Sequence, residues 1–175
     1  IWDLPYGKGR RFGSSVNAWL DGVAGGWRLT LINFMASGQA VNLTYSPTSQ
    51  FSVAGGPAYR PNITGDVMAP ESLRSIDNYF NKDNVQVPTN PLFPFGNAGR
   101  NIARSYSFHQ ADGGFHKEFS LLKETRRLEF RGEFFNLLNR TNFGAPNSNR
   151  SSSGFGTIRS TFPARIAQFA LKFVF

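Results

Sequence analysis

The chain has 175 residues, enough for one sizeable core, and no cysteine, which excludes disulfides, thiolate metal sites and cysteine nucleophiles. Its net charge of +8 is spread rather than gathered into a patch: residues 45–106 hold Arg60, Arg74, Lys82, Arg100 and Arg104 against Asp66, Glu71, Asp77 and Asp83. With no recognised binding motif beside it, that spread argues against a nucleic-acid partner.

The opening, IWDLPYGKGRR, has no methionine start and no basic-then-apolar leader, and no run approaches the roughly 18 apolar residues of a membrane helix. Residues 1–6 read as the tail of a strand in a piece of something longer. GKGRRFG has glycines and a lysine but lacks the Gly-Lys-Ser/Thr ending of a phosphate loop, so it is a turn. In the following SSVNAWLDGVAGG, Val16, Trp19, Leu20 and Val23 fall at i, i+3, i+4 and i+7, and Gly25 can end the helix. This predicts a short amphipathic helix packed under the sheet edge. A strand then starts at Trp27 and runs through WRLTLINFMASGQAVNLTY, with blurred alternation and Gly38 marking a bulge or bend.

Residues 46–106 form a long loop, rich in Pro, Asn and Gly, with one helix-like piece at APESLRSIDNYF. So long a loop counts against a compact soluble domain. The clearest signal follows in FHKEFSLLKETRRLEFRGEFF, residues 115–135, and it has period two. Phe115, Phe119 and Leu121 share one parity, with Lys117 as the exception, while His116, Glu118 and Ser120 share the other. After a polar turn around Lys123–Arg126, Leu128, Phe130, Gly132 and Phe134 alternate with Glu129, Arg131 and Glu133. A helix would set Leu128 and Phe130 on opposite sides, so a hairpin with one greasy and one charged face sorts the residues better. A turn centred on Glu124 and Thr125 would place Glu118 opposite Arg131, His116 opposite Glu133 and Ser120 opposite Glu129. On the other face it would place Phe119 opposite Phe130 and Phe115 opposite Phe134.

Residues 144–163 are a second loop. In the last strand Ala167, Phe169, Leu171, Phe173 and Phe175 lie on one face, and Ile166, Gln168, Ala170, Lys172 and Val174 on the other.

No constellation for catalysis stands out. His109 and His116 have opposite parity in one strand and cannot share a metal. Asn62-Ile63-Thr64 and Asn139-Arg140-Thr141 match the glycosylation triplet, a short motif with frequent chance hits. No serine sits in a Gly-x-Ser-x-Gly elbow. Glu129 and Glu133 share a face with Arg131 between them, which reads as a charge ladder rather than an acid–base pair. The chain is therefore expected not to be an enzyme, with no catalytic, metal or cofactor residues.

Alternating long and short connections between two-faced strands are the pattern of bacterial outer-membrane barrels. The expected fold is all-β: an antiparallel up-and-down sheet of four to five transmembrane strands, with long surface loops and one or two short helices. Phe115, Phe119, Phe130 and Phe134 would face lipid, and Glu118, Glu129, Arg131 and Glu133 would form a ladder on the lumen face. The same aromatics also suit the core of a soluble secreted all-β binding module, such as a carbohydrate-binding sandwich. A β-rich enzyme is the third class.

Five segments in this order, LPYGKGRRF, GGWRLTLINFMASGQ, FGNAGRN, RLEFRGEFFNLLNRTNFGAPN and RIAQFALKFVF, resemble the carboxy-terminal portion of TonB-dependent receptors of the Oar-like type. The resemblance spans residues 2–175 and is weakest over 46–90. It implies the last strands of a barrel of about 22, whose plug, TonB-contacting box and amino-terminal β-sandwich lie outside this sequence. It also implies a place in the bacterial outer membrane and a transported ligand of unknown identity. The implied partners are outer-membrane lipid, the missing strands and plug, and the barrel-assembly machinery. That machinery would read Phe169, Leu171, Phe173 and Phe175.

Overall fold

The structure, a computed structural model, describes residues 1–47, 59–90, 94–121 and 126–175, with Leu121 described by its backbone. In chain order the elements are β1 (Trp2–Asp3), helix α1 (Ala18–Ala24), β2 (Trp27–Ala36), β3 (Ala40–Val41) and β4 (Asn62–Ile63). A 3-10 turn (Glu71–Leu73) leads to β5 (Val85–Gln86), β6 (Ala103–Arg104), β7 (Phe108–Leu121), β8 (Arg126–Phe135) and β9 (Ile166–Val174). They divide into two compact units. The first comprises residues 1–35, 109–141 and 163–175, and the second residues 36–108 and 142–162.

The first unit is one five-stranded sheet in the order β1-β2-β7-β8-β9. β1 pairs antiparallel with β2, and β7, β8 and β9 pair antiparallel in succession. Between β2 and β7, Trp27 meets Lys117, Thr30 lies beside Gly114 and Asn33 bonds His109, so these two strands also run in opposite directions. β7, β8 and β9 form where alternation is strong, because each then presents one apolar row and one polar row to opposite faces.

The β7–β8 pairing keeps the expected parity but differs in register by two residues. Glu118 faces Glu129 instead of Arg131, His116 faces Arg131 instead of Glu133, and Ser120 faces Arg127 instead of Glu129. Phe119 faces Leu128 instead of Phe130, and Phe115 faces Gly132 instead of Phe134. A slip of two leaves every side chain on its own face, so alternation cannot fix it. In the observed register the Phe115 ring lies over Gly132. The expected turn centre at Glu124 and Thr125 lies outside the described residues.

Strand β2 stops at Ala36, short of the expected run to Tyr45. Gly38 marks the break: a Cβ there would fall 1.7 Å from the Ser105 carbonyl oxygen, so the backbones approach too closely for any side chain.

The expected long loops, 46–106 and 144–163, supply most of the second unit, irregular apart from two-residue strands and the 3-10 turn within the helix-like piece. Residues of both segments share one buried core of Val41, Leu43, Tyr79, Phe80, Val85, Phe155 and Ile158, among others. Short strand pairs, β3 with β6 and β4 with β5, supply little of its backbone pairing. Bonds between irregular segments supply more: Thr44 N–H to the Ser148 carbonyl (3.0 Å), Tyr79 N–H to the Gly156 carbonyl (2.9 Å) and Ile158 N–H to the Ile76 carbonyl (2.7 Å). A core without periodic elements leaves no periodic trace in the sequence.

Helix α1 also departs from expectation. It forms, capped by the Asn17 side chain accepting from Leu20 N–H, but Val16 precedes it and none of its residues is buried. Polar bonds hold it instead of apolar packing. Asp21 accepts Lys8 N–H at 2.6 Å, and Trp27 Nε1–H donates to the Val23 carbonyl at 2.9 Å.

Candidate functional site

Over β7, β8 and β9 the sheet sorts its side chains into two faces of different chemistry, whereas β2 places Ile32 and Phe34 on the side of Arg28. On the apolar face, Trp27, Phe115, Phe130, Phe134 and Phe169 form one aromatic cluster. Phe115 stands 5.5 Å from Trp27, 5.8 Å from Phe130 and 5.9 Å from Phe134, between ring centroids. Phe169 on β9 stacks on Phe130 at 6.3 Å and meets Phe134 edge-on at 6.0 Å. Leu171 faces Phe130 and Phe173 faces Leu128 across the β8–β9 ladder, and Phe119 faces Leu128 across the β7–β8 ladder. Two sets of residues singled out separately in the sequence, the strand phenylalanines and the terminal row, therefore lie on one continuous surface. Phe173 and Phe175 extend it as a stacked pair at 6.1 Å.

The charged face carries Glu118, Glu129, Arg131 and Glu133, all on one side as their parity requires. Their pairing is lateral rather than a simple ladder of opposites. Glu129 sits between Glu118 on one neighbouring strand and Lys172 on the other, with Lys172 Nζ at 3.6 Å and Arg127 Nε at 3.4 Å. Arg131 pairs with Glu133 at 3.9 Å, and the Gln168 amide donates to Glu133. At the far edge Arg28 binds Asp3 at 2.7 Å. These groups are partly exposed, so their pairing sets polarity more than stability.

Lys117 is the residue the alternation pattern flagged only as an exception. It lies on the apolar face and is 3% exposed. Its ammonium donates to the carbonyls of Asp21 (3.2 Å) and Gly25 at the C-terminal end of α1. It also lies 5.5 Å from the Trp27 ring centroid and 5.2 Å from that of Phe119, within cation–π range. The sequence signal was present, a cation in a greasy row, but its partners lie 92 and 96 positions away.

The histidines stay apart. His109 contacts Asn33 Oδ1 at 2.8 Å and Arg140 at 3.3 Å, while His116 faces Arg131 on the charged side. Among the described residues no group of three His, Asp or Glu side chains is placed to hold a metal ion.

The second unit carries a recess of about 470 Å³, within the ordinary size of small-ligand sites. Tyr45, Pro47, Val87, Pro88, Pro94 and Ser151 are among its walls. The Tyr45 hydroxyl donates to the Pro94 carbonyl, and burial raises its phenol above the usual tyrosine range, so it stays a neutral donor. Apolar walls with a few hydroxyl and amide groups suit an uncharged or weakly polar ligand.

Comparisons with known proteins agree with this two-faced sheet. Neither the curated proteins nor the solved structures yield a match. No described helix is long and apolar enough to cross a membrane, which does not bear on strands. The sequence does match a family profile, the outer membrane beta barrel domain, over residues 1–168. That span includes β1, β2, β7 and β8, the aromatic cluster except for Phe169, and the loop-borne unit. With a two-faced antiparallel sheet and a match over nearly its whole length, the chain belongs to the outer membrane beta barrel domain family.

Proposed function

We propose that the chain is the carboxy-terminal wall and surface-loop portion of a bacterial TonB-dependent outer-membrane receptor. Its apolar face meets lipid and its charged face lines the lumen. The observation that carries this is an inverted distribution of burial. The largest fully buried side chains, Phe80, Phe155, Leu43, Val85 and Pro61, all belong to the loop-borne unit. The sheet meanwhile leaves Leu31, Met35, Phe169, Leu171 and Phe173 each more than half exposed. In water such a surface is an aggregation hazard. In lipid each large apolar side chain removed from water contributes roughly 1.5–3 kcal/mol.

The long connections β2–β7 and β8–β9 then lie outside the cell, and the short β7–β8 connection lies in the periplasm. The loop-borne unit gathers the ligand, with its recess as the contact point. The row Phe169, Leu171, Phe173 and Phe175 is the strand that the assembly machinery captures by edge addition. The chain performs no catalysis; His109 and His116 serve in polar networks.

The deciding experiment uses the full-length receptor in its own outer membrane. In vivo photo-cross-linking to TonB should give an adduct that requires the proton-motive force. No adduct, together with steady ungated conductance of the purified protein in planar bilayers, would overturn the receptor assignment in favour of a passive channel.

A further inference from the structure

We propose that α1 is an interfacial anchor: it rests on the phospholipid surface of the inner leaflet with Trp19, Leu20 and Val23 inserted, and Lys117 tethers it there. This rests on the assignment of the apolar face to lipid.

Helix α1 carries an apolar stripe that stays exposed among the described residues. Trp19 is 73%, Val23 55% and Leu20 40% exposed. On a free surface helix that stripe would turn inward. Here it cannot turn, because the helix is locked by polar bonds on its other sides. Asp21 accepts Lys8 N–H at 2.6 Å, and Trp27 Nε1–H donates to the Val23 carbonyl at 2.9 Å. Gly7, at φ 125°, lies so close to Gly25 that a Cβ on Gly7 would fall 2.8 Å from the Gly25 Cα. The outward stripe is thus a fixed feature.

Lys117 decides which medium the stripe meets. It projects from the apolar face, where its cross-strand neighbours are Phe130 and, beyond it, Leu171. Its ammonium takes the carbonyls of Asp21 and Gly25, so the C-terminal end of α1 is seated on the face that meets lipid. Lys117 precedes the end of β7 at Leu121 by four residues. That is about 13 Å along a strand, or about 9 Å in height at a barrel tilt of ~45°. In an apolar band about 25 Å tall, that height places Lys117 in the inner half. A bare charge is costly at that depth, and helix carbonyls and ring faces here take the place of water.

The flanking turn adds charge of the right sign. Lys8, Arg10 and Arg11 are exposed, and Arg11 lies over the ring of Phe12, itself 55% exposed. Basic side chains beside exposed aromatics suit the phosphate layer of a phospholipid surface.

The test uses the full-length protein in vesicles of phosphatidylethanolamine and phosphatidylglycerol. Single-cysteine variants Trp19→Cys, Val23→Cys, Ala18→Cys and Leu171→Cys each carry an NBD label. Labels at 19 and 23 should be quenched by lipids with a shallow doxyl group and shielded several-fold from aqueous iodide relative to the label at 18. Iodide access at 19 and 23 equal to that at 18 would overturn the anchor. Shielding from both quenchers would also overturn it, by showing a protein cover. If the label at 171 itself escapes the lipid quencher, the face assignment falls first, and the two failures are thereby distinguished. In Lys117→Met the lipid quenching at 19 should drop at least twofold while the folded, heat-modifiable band persists. Unchanged quenching would remove the tether role. If that variant fails to assemble, Lys117→Arg should keep the quenching.

Discussion

The ring of Phe115 lies across the backbone of Gly132, its direct partner on the neighbouring strand: a Cβ built on Gly132 would fall 2.4 Å from the ring. An aromatic ring covering a strand glycine both shields the glycine backbone and pins the register. Gly132→Ala should therefore destabilise the β7–β8 pair by about 1–3 kcal/mol, the usual penalty of overpacking. Gly22→Ala is the matched control. It lies in α1, and a Cβ there meets nothing within 4 Å, so it should be neutral or stabilise by roughly 0.5–1 kcal/mol. Urea unfolding of the folded protein in detergent micelles compares the two. Equal midpoints would show that the ring moves aside without cost.

Charge coupling on the charged face follows the observed register. A double-mutant cycle between Glu129 and Lys172, 3.6 Å apart on adjacent strands, should return about 0.2–1 kcal/mol. The value should fall as salt is raised. A cycle between Glu118 and Arg131, diagonal rather than direct neighbours, should return a smaller value. Coupling between Glu118 and Arg131 alone would restore the register that a turn centred on Glu124 and Thr125 implies.

The two faces of the sheet were legible in the sequence because parity is a local property: Phe115, Phe130, Phe134 and Phe169 declare themselves one residue at a time. The register was not, since a slip of two leaves every side chain on its own face. The core of the loop-borne unit was hidden for a different reason. Leu43, Phe80, Val85 and Phe155 sit on turns and two-residue strands, so they have no common period, and the contacts that gather them span from Val41 to Ile158. Helix α1 shows a third case. Its apolar stripe was visible, but the stripe does not reveal whether protein or lipid covers it. That depends on Lys117, whose partners lie far away in the chain.

Arg150 joins the two segments of the loop-borne unit. Its Nε donates to the Val85 carbonyl at 2.6 Å, its backbone N–H to the Thr44 carbonyl at 2.7 Å, and its guanidinium lies 5.5 Å from the centre of the Phe155 ring. Arg150→Ala leaves the Val85 carbonyl without this donor and should cost the unit about 1.5–3 kcal/mol, as for a charge-assisted bond. Proteinase K added to intact cells should then cut residues 36–108 or 142–162 faster, while the barrel keeps its heat-modifiable migration. Unchanged cleavage would mean that the segments hold together without this side chain.

Phe175 is 92% exposed and continues the row of Phe169, Leu171 and Phe173 on the apolar face, stacked on Phe173 at 6.1 Å. Val174 belongs to the other face, opposite Arg127. Burial of one ring in lipid contributes about 1.5–3 kcal/mol, modest beside the free energy of a whole inserted barrel. If the ring were only a hydrophobic end, its loss would lower stability slightly and leave assembly alone. On the proposed role it is part of the strand edge that the assembly machinery grasps before any barrel exists, so its loss should act on insertion. Deleting Phe175, or replacing it by Phe175→Asp, should reduce the amount of heat-modifiable full-length protein in the outer membrane severely. The protein that does insert should unfold at nearly the same urea midpoint. Val174→Thr should change neither quantity. Equal outer-membrane levels for the Phe175 and Val174 variants would remove the assembly role and leave Phe175 as an interfacial ring.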